Sequence, residues 1–207
     1  MKTILTACGF ALMFALFNAN PQAAEPAPGP LSTQDERTSF KIAKGFTIEL
    51  AASEPDVVDP VAMCFDEKGR LFVCEMRGYP NGGIGTGNET RGKIKCLEDR
   101  DGDGIFETSH VFAEGLRFPM GIAPYKNGLL VAVAPDILYL EDTDGDGKAD
   151  KTTVLYTGFN LANIPQLVNG LQWGLDNWIY GVAGNDGGTI TSGEKPDAAR
   201  VSLRGRG

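Results

Sequence analysis

The pattern that most constrains this chain of 207 residues is a hairpin plan written three times. Pro60 to Glu75 reads PVAMCFDEKGRLFVCE. Pro119, 59 residues on, opens PMGIAPYKNGLLVAVA, and Val168, a further 49 on, opens VNGLQWGLDNWIYGVA. In this register Gly69, Gly128 and Asn177 coincide, as do Leu71, Leu130 and Ile179. Gly and Asn tolerate the positive φ that tight hairpin turns demand. Each copy therefore predicts a short strand, a turn and an apolar strand: Leu71 to Cys74, Leu129 to Ala134, and Trp178 to Val182.

Those second strands are almost continuously apolar instead of alternating, which implies cover on both faces, as when sheets stack. A second repeat lies between the first ones. Ile94 to Leu116 aligns with Ile137 to Phe159 at an offset of 43, matching Leu97 with Leu140, Val111 with Val154 and Gly115 with Gly158. Two alternating hairpins make a four-stranded antiparallel blade, and radial stacking of blades makes a β-propeller. A β-sandwich is the alternative, but a sandwich has no reason to repeat its turn chemistry at fixed offsets. The expected fold class is thus all-β, an incomplete propeller of about three and a half to four blades where propellers have typically four to eight. Val201-Ser202-Leu203 reads as the start of a further strand, so the chain is expected to be a fragment of a longer protein.

The N-terminus sets the compartment. Lys2 precedes an uncharged, mostly apolar run from Ile4 to Phe17, followed by small residues ending at Ala23-Ala24. That run is shorter than the roughly 20 residues a spanning helix needs, so residues 1–24 are expected to be a secretory signal rather than an anchor. Leu5-Thr6-Ala7-Cys8 has the look of a lipidation box, but too few residues precede Cys8 to form a signal core. Residues 25–39 are rich in Pro, Ala, Ser and charge and are expected to be a flexible leader. A partial propeller domain is expected over 40–207. The formal net charge of −8 offers no basic patch for nucleic acid. The expected location is periplasmic or extracellular, with no transmembrane span.

An exported chain is permitted disulfides, yet Cys64, Cys74 and Cys96 are an odd count after the signal. Simple hairpin register puts Cys64 and Cys74 on opposite faces, so small buried hydrophobes are the expectation. The lone histidine, His110, stands at a strand start, and no Ser-His-Asp or Cys-His set can be assembled around it. Gly83-Ile84-Gly85-Thr86-Gly87 leads into no helix, which removes the dinucleotide reading. Asn88-Glu89-Thr90 is a glycosylation sequon by pattern only. Trp173, Trp178 and Tyr180 belong to a repeated apolar strand and are expected in the core.

Two loops carry the strongest chemical signal. Asp99, Asp101, Asp103 and Glu107 in one, and Asp142, Asp144, Asp146 and Asp150 in the other, both follow D-x-D-x-D-G-x-x-(D/E). Calcium takes six to eight oxygens, and carboxylates at alternate loop positions converge on one ion. Gly104 and Gly147 occupy the sharp-turn position. Position twelve is His110 or Thr153 where an EF-hand needs a bidentate Glu, and strands flank the loops instead of helices. A bound ion would staple a hairpin. Asp and Gly also favour turns without any ion.

GRLFVCEMRGYP (Gly69 to Pro80), LEDRDGDGIFE (Leu97 to Glu107), VAVAPDILYLEDTDGDGKAD (Val131 to Asp150) and NGLQWGLDNWIYG (Asn169 to Gly181) together resemble the N-terminal domain of the bacterial putative membrane-bound dehydrogenase family. That family's propeller is similar to those of sorbosone and soluble aldose dehydrogenases. The resemblance implies an exported oxidoreductase acting on a carbohydrate-like alcohol or aldehyde, with the quinone PQQ and often calcium as cofactors. It also implies downstream helical repeats and a haem domain as partners within a longer chain. This sequence has no CxxCH, so haem is not expected here, and no catalytic or quinone-binding residue is carried over. A non-catalytic propeller that binds carbohydrate or protein is the alternative.

Overall fold

The computed structural model describes residues 29–80, 87, 90–185 and 187–203. The expected signal, the first part of the leader, residues 83–86 and the sequon pair Asn88-Glu89 lie outside the described residues. In chain order the elements are α1 (Thr33–Ser39), β1 (Pro60–Phe65), β2 (Leu71–Glu75), β3 (Gly92–Glu98), β4 (Thr108–Leu116), β5 (Gly121–Tyr125), β6 (Gly128–Val133), β7 (Asp136–Glu141), β8 (Lys151–Phe159), a 3-10 turn (Ile164–Gln166), β9 (Asn169–Trp173), β10 (Ile179–Val182), β11 (Gly188–Ser192) and β12 (Val201–Ser202). The fold is all-β and antiparallel, as the repeats imply. No described helix is long and apolar enough to cross a membrane.

The leader differs from a featureless tail. Ser32 caps α1, accepting the Asp35 N–H at 3.1 Å, and Asp35 and Glu36 sit in the first turn, where acids suit the helix dipole. No residue of α1 is buried. Phe40 is exposed too, and Ala52 and Val57 are the residues ahead of β1 that pack on a buried cluster.

All three hairpins of the first repeat form. β1–β2 pairs Cys64 with Phe72 and Phe65 with Leu71, and Gly69 turns at φ 79. β9–β10 copies it, pairing Gln172 with Tyr180 and Trp173 with Ile179, with Asn177 at φ 65 in the place of Gly69. The middle copy departs from the expected register. β5–β6 closes through Lys126-Asn127, because Tyr125 already pairs with Gly128. Lys126 takes the positive φ of 50, and Gly128 lies inside the strand. Its turn is one residue shorter, so Leu71 corresponds to Leu129 and not Leu130. Gly128 is required for another reason: a Cβ there would fall 1.9 Å from the Leu140 carbonyl oxygen. The second repeat forms as β3–β4 and β7–β8, each spanning one acidic loop.

Sheet composition corrects the expectation of uniform four-stranded blades. One sheet is β1-β2-β3-β4, a second is six-stranded in the order β12-β11-β8-β7-β6-β5, and β10-β9 forms a third of two strands. The cause is that β11 pairs with β8 and not with β10. Among the described residues the sheets do not close into a ring.

Stacking is the source of the core. Phe72, Cys74, Ile94, Cys96 and Phe112 of the first sheet meet Ile122, Leu129, Val131, Val133 and Leu140 of the second. The next interface buries Ala123, Leu130, Ala132 and Tyr139 against Leu167, Val168 and Leu171. On the first sheet's outer face, Leu71, Val73 and Leu97 are covered by Ala52, Val57 and Phe106. Burying each large apolar side chain contributes about 1.5–3 kcal/mol. Strands β2 and β6 therefore have cover on both faces. Strand β10 does not: Trp178, Tyr180 and Val182 are exposed, as is Trp173 on β9. The core reading of those aromatics fails because, among the described residues, no further sheet covers the two-stranded one.

Glu75 is the one buried charged residue of the described core. Its carboxylate accepts the Val58 N–H at 2.8 Å and pairs with Arg77 Nε at 2.7 Å. These charge-assisted bonds offset its desolvation and tie the segment before β1 to the end of β2.

Cys64, Cys74 and Cys96 are free. Cys64 and Cys74 share a face, because Phe72 is the register partner of Cys64 and lies two residues from Cys74. The opposite-face expectation is wrong because side chains paired across a hairpin project to the same side. Burial pushes the Cys64 and Cys74 thiols up to about 12 and the Cys96 thiol to about 11. Alkylating reagent at pH 8 is therefore expected to leave Cys74 and Cys96 unmodified in the native chain and to modify all three in denaturant, read by mass spectrometry. Phe72, stacked edge-to-face on Phe112 at 5.2 Å, fills the first interface; Phe72→Ala is expected to cost about 3–5 kcal/mol in urea unfolding.

Candidate functional site

Both acidic loops fold onto themselves by one pattern. In the first, Asp99 takes the Gly102 N–H on one carboxylate oxygen at 2.7 Å and the Gly104 N–H on the other at 2.9 Å. Asp101 accepts from Asp103 N at 3.2 Å, and Asp103 from Ile105 N at 2.8 Å. Glu107 reaches back to accept the Arg100 N–H at 2.9 Å. The second loop repeats each step: Asp142 accepts from Gly145 and Gly147 at 2.7 and 2.9 Å, Asp144 from Asp146 at 3.1 Å, and Asp146 from Lys148 at 2.8 Å. Short acidic side chains capture local N–H groups in this way wherever strands must turn. Gly104 and Gly147, at φ 90 and 88, make the bend.

These bonds leave the outer oxygens of Asp101, Asp103 and Glu107 without described partners. One oxygen from each of Asp99, Asp101, Asp103 and Glu107 lies within 4.8 Å of the others, and the same holds for Asp142, Asp144 and Asp146. Seven of the eight acids singled out in the sequence are thus gathered into two clusters. Asp150 stands apart. It accepts both the Thr143 N–H at 2.9 Å and the Thr143 hydroxyl at 2.6 Å, and closes the loop as Glu107 does in the first. The first loop has Arg100 at the Thr143 position, with no hydroxyl to hold the acid, so Glu107 remains close to its neighbours.

His110 joins the two loops. It stands on β4 just after the first loop, and its Nε2 lies 2.9 Å from the Gly147 carbonyl oxygen in the second. A carbonyl only accepts, so Nε2 carries the hydrogen. His110 also lines a cleft of about 500 Å³ between the two sheets, with Arg70, Arg100, Lys126, Asp142 and Asp146. Two of the cations there are already engaged. Arg70 pairs with Asp66 at 2.7 Å and lies over the Phe72 ring, and Lys126 sits above the Tyr125 and Tyr139 rings. The sequence carried no sign of this bridge, since it links residues 37 apart on different sheets.

The arrangement suits a hard cation. Three or four carboxylates in one exposed loop repel each other, and an ion removes that cost. Protonation has a defined direction at Asp150. The Thr143 hydroxyl, chiefly, holds its carboxyl below the ordinary value. Since the folded pKa is depressed, the contact contributes above the unfolded value of about 3.9 and is lost as pH falls through the lower folded one. Carboxyl NMR titration is expected to place Asp150 below an ordinary aspartate, and Thr143→Val to move it upward. His110→Ala, by deleting the inter-loop bond, is expected to lower stability by about 0.5–1.5 kcal/mol in urea unfolding.

The profile of a family described as a domain of unknown function, DUF7133, matches residues 32–206. No curated protein and no solved structure matches the chain. The family match takes in α1 and every described strand, and the chain belongs to the DUF7133 family.

Proposed function

We propose that this chain is a calcium-stapled β-propeller segment of an exported protein, acting as a non-catalytic scaffold that presents its surfaces to carbohydrate or protein. The observation that carries the metal reading is the gathering of Asp99, Asp101, Asp103 and Glu107 oxygens within 4.8 Å of one another at a hairpin tip. The same geometry recurs at Asp142, Asp144 and Asp146. Inner oxygens hold the loop's own N–H groups, and outer oxygens, with water, complete an ion's shell. Such exposed, partly protein-ligated sites match the affinities of extracellular calcium modules, with Kd about 10⁻⁴–10⁻³ M. An exported location supplies calcium at that level.

The propeller reading has its own support. β1, β5 and β9, the first strand of each hairpin copy, run beside one another and border a shared channel with Val61, Met63, Met120 and Gln172 on its wall. Neighbouring sheets pack face to face through the apolar side chains of these hairpins. Stacked blades around an axis have this geometry.

The oxidoreductase reading rests on the family resemblance alone. PQQ is a flat tricarboxylate and requires cationic or amide donors on its rim. In the inter-sheet cleft the guanidinium of Arg70 is already held by Asp66, and Asp142 and Asp146 line the same walls. No described residue is assigned to that quinone, and no oxidative step is derived through it.

Calorimetric titration with Ca²⁺ tests the metal reading. Binding heat is expected for the native chain, with Asp101→Ala and Asp144→Ala each removing one site and the double variant removing both. Saturation at 100 times Kd is expected to stabilise the chain by about 2.7 kcal/mol per site. Heat that survives the double variant unchanged would overturn the proposal.

A further inference from the structure

The third sheet stops at two strands, and the hairpin that follows it in sequence is seated elsewhere. In the first sheet, the hairpin β1–β2 is followed by β3–β4, which pairs along the edge of β2. In the second, β5–β6 is followed by β7–β8, which pairs along the edge of β6. β9–β10 is likewise followed by β11–β12, an antiparallel hairpin with Ile190 opposite Val201. Yet β11 lies against β8, and β10 has no described partner except β9.

The seat on β8 is a poor one. Only Gly188, Thr191 and Ser192 find register partners there, and the ladder slips between Gly188 and Thr191. Thr191 Oγ1 is buried without a hydrogen-bond partner, which leaves its desolvation uncompensated. Gly193, just past β11, donates its N–H to the Leu155 carbonyl at 2.8 Å and runs so close to β8 that a Cβ would lie 2.1 Å from the Val154 carbonyl oxygen, so this contact holds only with glycine. The seats on β2 and β6 are ladders of five and six residue pairs without a slip.

The edge of β10 is within reach. Its connection to β11 contains Gly184 and Gly187 at φ 73 and 58, conformations open to glycine and awkward for other residues. β6 and β7 are joined by only Ala134 and Pro135, so a connection of this length is ample for antiparallel neighbours.

We infer that the free edge of β10 is a second docking seat for the β11–β12 hairpin, and that moving there completes a third four-stranded sheet like the first. The move leaves β8 as the outer edge of a four-stranded second sheet. It also turns the face carrying Tyr180 and Val182 into part of a full-width sheet. Tyr180 and Val182, 53 % and 56 % exposed, stand where the first sheet has Phe72 and Cys74 at 2 % and 0 %. The inference rests on the sheet repeat and is independent of the metal.

Hydrogen exchange on the full chain, resolved per amide by NMR, tests it with Gly193→Ala. Gly193 has an ordinary φ, so its Cβ blocks the β8 seat without backbone strain. The expected result is exchange on the order of tenfold slower at the β10 amides facing away from β9, faster exchange along the β8 edge, and retained protection within β11–β12. Two results overturn the inference: β11–β12 exchanging freely while β10 stays unprotected, or protection at β8 and β10 unchanged from the native chain. Calcium is left out of the buffer in one series, so a failure of the metal reading leaves this outcome legible.

Discussion

Strands β2 and β6 have apolar side chains on both faces, and water is a poor neighbour for either. A strand of this kind is stable only between two layers. Phe72 and Cys74 look toward the second sheet while Leu71 and Val73 look toward the segment before β1. The second sheet then uses Leu129 and Val131 in one direction and Leu130 and Ala132 in the other. Each interface creates the need for the next. The succession of the three sheets follows from that demand.

The buried and the exposed polar groups do different work. Glu75 is inside and fully partnered, and it ties the segment just before β1 to the end of β2. The loop acids are outside, and Asp101, Asp103, Glu107, Asp144 and Asp146 each use one described carboxylate oxygen in the loop's own bonds. Their inner oxygens close the turn by accepting backbone N–H groups, and their outer oxygens remain as a concentrated negative charge. His110 ties one such turn to the other across the sheet interface, so the loops are not independent of the packing beneath them.

Where stacking stops, the chemistry of the surface changes. Tyr180, Val182 and Trp178 are core-type residues left facing water, and Val61, Met63 and Phe65 are their counterparts on β1. Exposed apolar faces and a free β10 edge are what a repeat architecture shows at its limits.

Much of this was legible in the residues themselves. Hairpin turns, antiparallel strands and loop acids are local features, and Gly69, Asn177 and the two Asp-Gly loops announce them within a few positions. The near-continuous apolar runs of Leu71 to Cys74 and Leu129 to Ala134 announced cover on both faces as well. The shortened turn at Lys126 was hidden, because a deletion of one residue leaves an apolar run looking unchanged while reversing which side chains face which way. The shared face of Cys64 and Cys74, the separation of Asp150 from its cluster, the His110 bridge and the seat of β11 were hidden too. Local pattern determined which segments become strands and turns, because propensity and turn chemistry act between near neighbours. Tertiary structure alone decided which edges and faces meet, because that choice is a competition among surfaces distant in the chain and similar in composition.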